Sequence, residues 1–424
     1  MSSFLQVTDL QDVYGRIGEF GAVSTERLPI ESCLGRITAE AVVSPEDLPP
    51  FSRATMDGFA VRAMSTFGAS EANPAYLTVV GDVAMGETAP MQVGPGQAVR
   101  IATGGMIPEG ADSVVMVEHT ETVDNTMVEV FSSVAPGQNV IEKGEDVAKS
   151  GLFLPPGKRL RPQELGILAA LGQRKVTVYR RPVVAVISTG DEIVPIETKP
   201  ATGQIRDVNT YTLCGLIRNL GAEPLPLGIV GDEPRALRER LLEGLRQSDT
   251  VMISGGSSVG TRDYTVQVLS DLPDSAILVQ GISIRPGKPT ILARCGTKAV
   301  WGLPGQVTSA MVVFDRVIAP FVEALAGMRH GTGAVLKIPA RLTRNVPSAQ
   351  GRIDYVRVRL RMEEGELTAE PVLGKSGLLR TMIIADGLVE IGVNDEGLDE
   401  NSSVLVIPLT WPIRPETGWS GDMP

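Results

Sequence analysis

Aromatic side chains are scarce in this sequence, 4 % of 424 residues, which argues against base stacking as a main mode of recognition. Basic residues are outnumbered, 39 Lys and Arg against 50 Asp and Glu for a net charge of −11, and that balance disfavours a nucleic acid or an anionic membrane as principal partner. The three cysteines, Cys33, Cys214 and Cys295, lie far apart with no CxxC or Cys/His cluster. They predict neither a zinc site nor a disulfide framework and fit a reducing cytoplasm. The two histidines, His119 and His330, share no turn with a Ser or Cys nucleophile, which argues against a triad hydrolase. The absence of a GxxxxGKS or GxxxxGKT string sets P-loop NTPases aside. No stretch approaches a membrane-spanning run, and MSSFLQVTDLQDVYGRI at the start has neither the basic n-region nor the apolar core of a signal peptide.

What the chain does have is glycine at the ends of apolar runs. VVAVIS leads into STGDE at 188–192, TVMIS into SGGSSVGTRDYT at 254–265, and AVW into GLPGQVTSA at 302–310. In an open parallel sheet the ligand sits at the carboxyl ends of the strands, where exposed backbone N–H groups and helix N-termini favour negative charge. An anionic ligand on an acidic protein needs a locally basic pocket.

The segments RPVVAVIS, NTYTLCGLIRNLGA, EPLPLGIV, EPRALRERLLEGLRQS and DTVMIS alternate strand and helix. Leu237, Leu241, Leu242 and Leu245 form one apolar stripe with Arg238, Glu239 and Arg240 outward. This βαβα order predicts a doubly wound, mostly parallel sheet, with the apolar stretch at 312–325 as an amphipathic helix packed on it. Ahead of it, residues 2–20 read as a helix on Leu5, Leu10, Val13 and Ile17. Residues 49–145 are dense in Val, Thr and Gly, with turns at Asp124-Asn125 and Pro136-Gly137, and read as a β-rich domain. Residues 161–172 read as a helix with Pro162 near its start and Gly172 past its end. Towards the C-terminus, YVRVRLRM puts Val356, Val358, Leu360 and Met362 on one face and Arg357, Arg359 and Arg361 on a solvated other. With a turn at 364–367 and the later SVLVIPL run, it predicts a small β-barrel or sandwich.

Carboxylates follow the glycine turns: Asp191 and Glu192, Asp232 and Glu233, and Asp263 inside the second loop. Beside a phosphate-binding loop they would repel the ligand unless a divalent cation lay between, and hard oxygen donors with phosphate suit Mg²⁺. Helix capping would also explain acids at these positions; the glycine loops favour the magnesium reading. In ISIRPGKP at 282–289, two prolines and a glycine brace Arg285 and Lys288, a donor fork and a point charge suited to a tetrahedral oxyanion. Thr308 and Ser309 offer hydroxyls at a helix start. Asp57 beside Gly58, and Thr103 before Gly104 and Gly105, read alone as turn residues.

In order along nearly the whole chain, TMDGFAV, RIATGGMIPEGAD, KGEDV, STGDE, SGGSSVGTRDYT, IRPGKP and GLPG resemble the molybdopterin molybdenumtransferase (MoeA) family, related to the E domain of gephyrin. The resemblance implies an α/β multidomain fold. A central doubly wound sheet domain of molybdopterin-binding type (181–330) is preceded by an N-terminal helix packing on it (1–26), a small linker domain (27–48 plus 144–180) and an inserted β-rich domain (49–143). A C-terminal β-barrel-like domain follows (331–424). It implies insertion of molybdate into adenylylated molybdopterin with release of AMP, to give molybdenum cofactor. Mg²⁺ would be shared by Asp232 and Asp263. Asp57, Thr103, Glu192, Asp232 and Asp263 match the family's functional positions. Ser188, Gly190, Gly255, Gly256, Ser258 and Gly260 belong to loops that would hold pterin and phosphates. Arg285, Lys288, Ser309, Arg352 and Ser376 match positions associated with the oxyanion. The family's homodimers share their active sites, so Asp57 would act across the interface, and a transient contact with molybdopterin adenylyltransferase is implied. This chain departs from the family in reading GLPGQV for the commoner GLPGNP and in carrying Gly281 where many members have Lys. With one cation fewer, tungstate becomes an alternative to molybdate.

Two other readings compete. A nucleotide pyrophosphatase of the competence-damage-inducible type resembles the sheet domain but lacks TMDGFAV, RIATGG and ISIRPGKP. A non-catalytic cofactor-binding scaffold would share the fold without the activity.

Overall fold

The run VVAVIST forms the strand Val183–Thr189, which is buried along nearly its whole length, as a strand covered by helices on both faces must be. The structure is a computed structural model describing residues 7–124, 126–255, 261–328, 335–363 and 365–409, with backbone alone at 261–263. Val183–Thr189 lies between Glu223–Val230 and Thr250–Gly255 in a six-stranded sheet that continues through Lys298–Leu303, Ile291–Cys295 and Ser275–Gln280. The first four strands are parallel and Ile291–Cys295 runs against its neighbours. Alternation along the strand divides its side chains between two cores. Val184 and Val186 pack with Leu213 and Ile217 of helix Asn209–Leu220. Ala185 and Ile187 pack with Leu237 and Leu241 of helix Pro234–Gln247. Helices therefore cover both faces, as the βαβα order predicts.

The segment expected as one amphipathic helix is helical from Val307–Val313 through a widened π turn, Phe314–Ile318, into Ala319–Leu325. Pro320 has no N–H to give the preceding turn, and the widened turn accommodates it. Buried Val312, Val317, Phe321 and Val322 hold the assembly to the sheet, with Trp301 edge-on to Phe321 at 4.9 Å between ring centroids.

The N-terminal helix is shorter than predicted, Leu10–Gly15 followed by a 3-10 turn, Ile17–Glu19. Thr8 is extended instead: its N–H donates to the Gly281 carbonyl at 2.9 Å, and the Ser283 N–H donates to the Thr8 carbonyl at 3.0 Å. Leu5 lies outside the described residues. Leu10 and Val13 enter the sheet core, and the Tyr14 hydroxyl donates to the Arg316 carbonyl.

The inserted β-rich unit is a six-stranded sheet in the order Ser113–Met116, Gly58–Val61, Gln97–Ile101, Ala75–Val83, Met127–Val130, Thr120–Asp124, with an apolar cluster on each face. Towards the C-terminus, Ile353–Glu363, Glu366–Pro371, Ile338–Leu342, Ser403–Pro408 and Gly387–Ile391 pair in turn, and the last returns to the first, closing a barrel. One short strand of the α/β unit, Ile284–Arg285, joins this barrel, pairing in parallel with Ile353 and Asp354. Two predicted side-chain positions differ. Met362, placed on the buried face, is 59 % exposed because it stands at the hairpin end beyond the barrel core. Arg357, placed on a solvated face, is half-buried and bonded to a neighbouring loop.

Helix Pro162–Ala170 begins as predicted, with a capping pair: the Arg161 N–H donates to the Glu164 carboxylate at 2.9 Å and the Arg161 guanidinium clasps it at 2.7 Å. The guanidinium first, then backbone N–H groups, hold the Glu164 carboxyl down at about 2 against an ordinary 4.5. Because the folded value is depressed, its contribution is complete above the unfolded value and disappears as pH falls towards 2. Glu164→Gln is expected to lower stability by about 1 kcal/mol at pH 7, with the difference from wild type closing between pH 4.5 and 2 in denaturant titrations.

Candidate functional site

The carboxyl ends of the parallel strands bring the described parts of the glycine turns side by side. Thr189 leads into Gly190, whose N–H donates to the Val230 carbonyl at 3.1 Å. A Cβ at Gly190, φ +144°, would stand 2.5 Å from Glu192 Oε2, so the glycine lets the Glu192 carboxylate fold against the turn. At the end of the neighbouring strand Gly255, φ +119°, passes so close to Thr189 that a Cβ would lie 2.0 Å from its carbonyl oxygen. Thr189, Gly231, Asp232, Glu233, Pro234 and Tyr264 line a small pocket at this edge. Gly256, Ser258 and Gly260 lie outside the described residues, as does the side chain of Asp263.

Ser188 is fully buried, its hydroxyl donating to Asp207 Oδ1 and lying beside Thr210 Oγ1, each at 3.0 Å. It braces the crevice from within. Two residues that the sequence reading passed over complete the brace. Asp207 also accepts the Thr210 N–H at 3.1 Å, and Asn209 Nδ2 donates to Ser254 Oγ at 2.7 Å and to the Gly305 carbonyl at 2.8 Å. Asn209 thereby fastens two strand ends to one helix start. The signal lies in Asp207, two residues before the helix, and Asn209, its first residue, an acid and an amide of capping type at a helix start. Of the five side-chain polar atoms buried without a hydrogen-bond partner among the described residues, three, Thr189 Oγ1, Asn209 Oδ1 and Thr308 Oγ1, lie at this rim, and Trp301 Nε1 and Ser348 Oγ lie elsewhere; buried polar atoms of that kind call for a polar ligand or water.

A second cluster forms where the barrel meets the crevice. The parallel register sets Arg285 beside Asp354, with Arg285 Nη1 3.4 Å from Asp354 Oδ2 and Arg352 Nε donating to Asp354 Oδ1 at 2.7 Å. Two cations predicted from separate segments thus share one buried carboxylate. Asp354 went unread because an acid inside an alternating strand carries no motif. Lys288 is exposed on the same braced turn, whose Gly287, φ +124°, leaves no room for a Cβ against Val313 Cγ2 at 2.5 Å. Ser309 is buried in helix Val307–Val313. Ser376 reaches that helix from the barrel side, its carbonyl accepting the Thr308 N–H at 3.2 Å.

Asp57 and Thr103 meet in the β-rich unit. The Thr103 N–H donates to Asp57 Oδ1 at 2.6 Å and its hydroxyl to the same oxygen at 2.9 Å. Those bonds, the N–H first, hold the Asp57 carboxyl below the usual carboxylate range. Among the described residues no hydrogen bond or ion pair joins this turn to the crevice.

Among the described residues no three Asp, Glu, His or Cys side chains gather into a metal cage. Asp232, however, is half-buried, and burial first, then the charges of Asp191 and Glu192, push its carboxyl above the usual range. Its N–H donates to Asp191 Oδ1 at 3.0 Å. Magnesium takes one or two carboxylates together with phosphate oxygens and water in preference to a closed protein cage. Carboxylates held against their own repulsion at a phosphate-type turn are a donor set that fits it. No helix among the described residues is long and apolar enough to cross a membrane.

Three family models match the chain in order: the MoeA N-terminal region (domain I and II) over 6–172, the probable molybdopterin binding domain over 185–324, and the MoeA C-terminal region (domain IV) over 339–409. A putative molybdopterin biosynthesis protein of Methanocaldococcus jannaschii is 36 % identical over 91 % of this chain and 92 % of its own. A molybdopterin molybdenumtransferase of Nostoc is 34 % identical over 91 % and 89 %. The solved structure of a molybdopterin biosynthesis MoeA protein from Pyrococcus horikoshii aligns with a TM-score of 0.79 at 30 % identity, covering 95 % of this chain and 100 % of that one.

Gly255→Ala would force a methyl group into the Thr189 carbonyl at a φ that L residues rarely adopt. It is expected to cost about 2–4 kcal/mol in denaturant titrations. A loss under about 0.5 kcal/mol would mean the two turns do not pack as described.

Proposed function

The chain belongs to the MoeA family, and from that membership we propose that it inserts molybdate into adenylylated molybdopterin with release of AMP, giving molybdenum cofactor. Two anion-type features support the reading: the rim of buried unpartnered oxygens and glycine turns, and the Arg285–Asp354–Arg352 cluster, whose turn packs at Gly287 on the helix that carries Thr308. A pterin phosphate suits the first and a tetrahedral oxyanion the second. In this reading the turns at 189–192 and 230–233 hold the adenylylated pterin, with Asn209 and Ser188 keeping the strand ends in register behind it. Asp354 holds the two guanidiniums side by side. Half-exposed Arg285 and Arg352 keep donors free for the oxyanion, Lys288 adds charge, and Ser376 closes from the barrel. Magnesium held by Asp232 and Asp263 would supply charge neutralisation at the phosphate link. Asp57, its carboxyl ionised by the Thr103 clasp, would reach the crevice of a second copy of the chain in a homodimer.

The test is to follow AMP release and metal content after mixing the protein with adenylylated molybdopterin, magnesium, and molybdate or tungstate in parallel. AMP release that tracks metal insertion is expected; release of AMP without oxyanion, or none with either, would overturn the reading. Asp232→Asn is expected to lower the rate by about 100-fold, the several kcal/mol a Lewis acid contributes, and excess magnesium should recover part of it. For the dimer, a mixed population of Asp57→Asn and Asp232→Asn chains is expected to regain activity that neither variant has alone. Mixed dimers that stay inactive would place both residues in one subunit's site.

A further inference from the structure

We propose that Arg357 is a positioning residue for the oxyanion: it gathers both ends of the 374–381 loop and so sets where Ser376 stands, without touching substrate. This rests on the reading above. Arg357 and Tyr355 share the face of strand Ile353–Glu363 turned towards the α/β unit, where Tyr355 enters the sheet core. Arg361, on the same face, meets Glu370 of the neighbouring strand at 3.2 Å. Arg357 is in none of the ion pairs among the described residues, and its donors go to one loop only: Nη2 to the Gly374 carbonyl at 2.7 Å and Nη1 to Thr381 Oγ1 at 2.9 Å. Its own carbonyl accepts the Val372 N–H at 2.8 Å, so the chain entering the loop is tied as well.

The loop's two ends also touch each other. A Cβ at Gly374 would lie 2.9 Å from Thr381 Cγ2, so the neck is closed, and the Thr381 hydroxyl donates a hydrogen bond to the Leu378 carbonyl at 2.6 Å. Between the ends, Ser376 gives its carbonyl to the Thr308 N–H, at the start of the helix that follows GLPG. Arg357 is thus the far anchor of the span that crosses from barrel to crevice. Burial disfavours its charge, and no other cause opposes that. A half-buried cation given only a carbonyl and a hydroxyl is spent on geometry, since hydrogen bonds from a charged donor are about twice as strong as neutral ones. A single ammonium in its place cannot span two acceptors on opposite sides of the neck.

The experiment pairs limited trypsin cleavage after exposed Lys375, read by mass spectrometry, with steady-state AMP release at varied molybdate and varied pterin. Arg357→Met and the charge-preserving Arg357→Lys are both expected to speed that cleavage about tenfold and raise the molybdate KM about tenfold. The pterin KM and kcat should stay within about twofold. Thr381→Val, which removes one acceptor and keeps the side chain's shape, should move both readouts in the same direction by less, and it carries the test if the Arg357 variants do not fold. Unchanged cleavage would overturn the tether. Wild-type behaviour in Arg357→Lys would make the effect one of charge and overturn the proposal, as would pterin and molybdate KM rising together. Wild-type protein that releases no AMP in response to oxyanion would overturn the proposed function instead, and the cleavage rates alone would then decide whether Arg357 holds the loop.

Discussion

The seam of this molecule depends on a two-residue strand. Ile284–Arg285 leaves the α/β unit to pair in parallel with Ile353 and Asp354 of the barrel, and that pairing alone sets Arg285 against a carboxylate that Arg352 already holds. Asp354 is nearly buried, at 6 % side-chain exposure. A carboxylate so placed is tolerable only when paired, so the two guanidiniums are held as firmly as the acid requires them. The cost of burying one negative charge fixes the position of two positive ones. The same segment receives the N-terminal chain through Thr8 and packs Gly287 onto Val313, so three parts of the sequence converge on it.

Electrostatic contrast follows from that arrangement. The chain is acidic overall, and the crevice adds Asp191, Glu192 and Asp232, the last with its carboxyl raised by burial first and then by the charges of the other two. Arg285 and Lys288 of the α/β unit meet Arg352 and Asp354 of the barrel at the seam, while Asp191, Glu192 and Asp232 stand at the strand ends. A ligand spanning both would meet acids that need a counter-charge at one end and donors free for an anion at the other. The arrangement of the basic cluster is therefore a property of two packed units, because Asp354 and Arg352 come from the barrel and Arg285 from the α/β unit.

The sheet was legible because its central strands read as unbroken apolar runs and its helices carry a single apolar stripe, patterns that local sequence reports directly. The glycine turns were legible for a related reason: a backbone passing within contact of Thr189 admits no side chain. What sequence could not report was pairing at a distance. The N-terminal helix was overextended because Thr8 is claimed by Gly281 and Ser283, more than 270 positions on. Alternation predicts a solvated Arg357 because it tells which side of a strand a residue is on and says nothing of what covers that side. Asp57 and Thr103 each looked like an ordinary turn residue, and only the fold brings the two turns into one hydrogen-bonded pair. Asn209 and Asp207, by contrast, stood in plain view as helix-capping types.

The closed barrel looks like an appendage in the strand order, yet its sheet is completed by residues that come before the last helices of the α/β unit. A chain emerging from the ribosome would therefore have its α/β segment synthesised while Arg285 still lacked its counter-ion. The cylinder itself is closed by the later strands Gly387–Ile391 and Ser403–Pro408. An incomplete chain that ends before the barrel would carry Arg285 and Lys288 without the buried carboxylate that aligns Arg285 with Arg352.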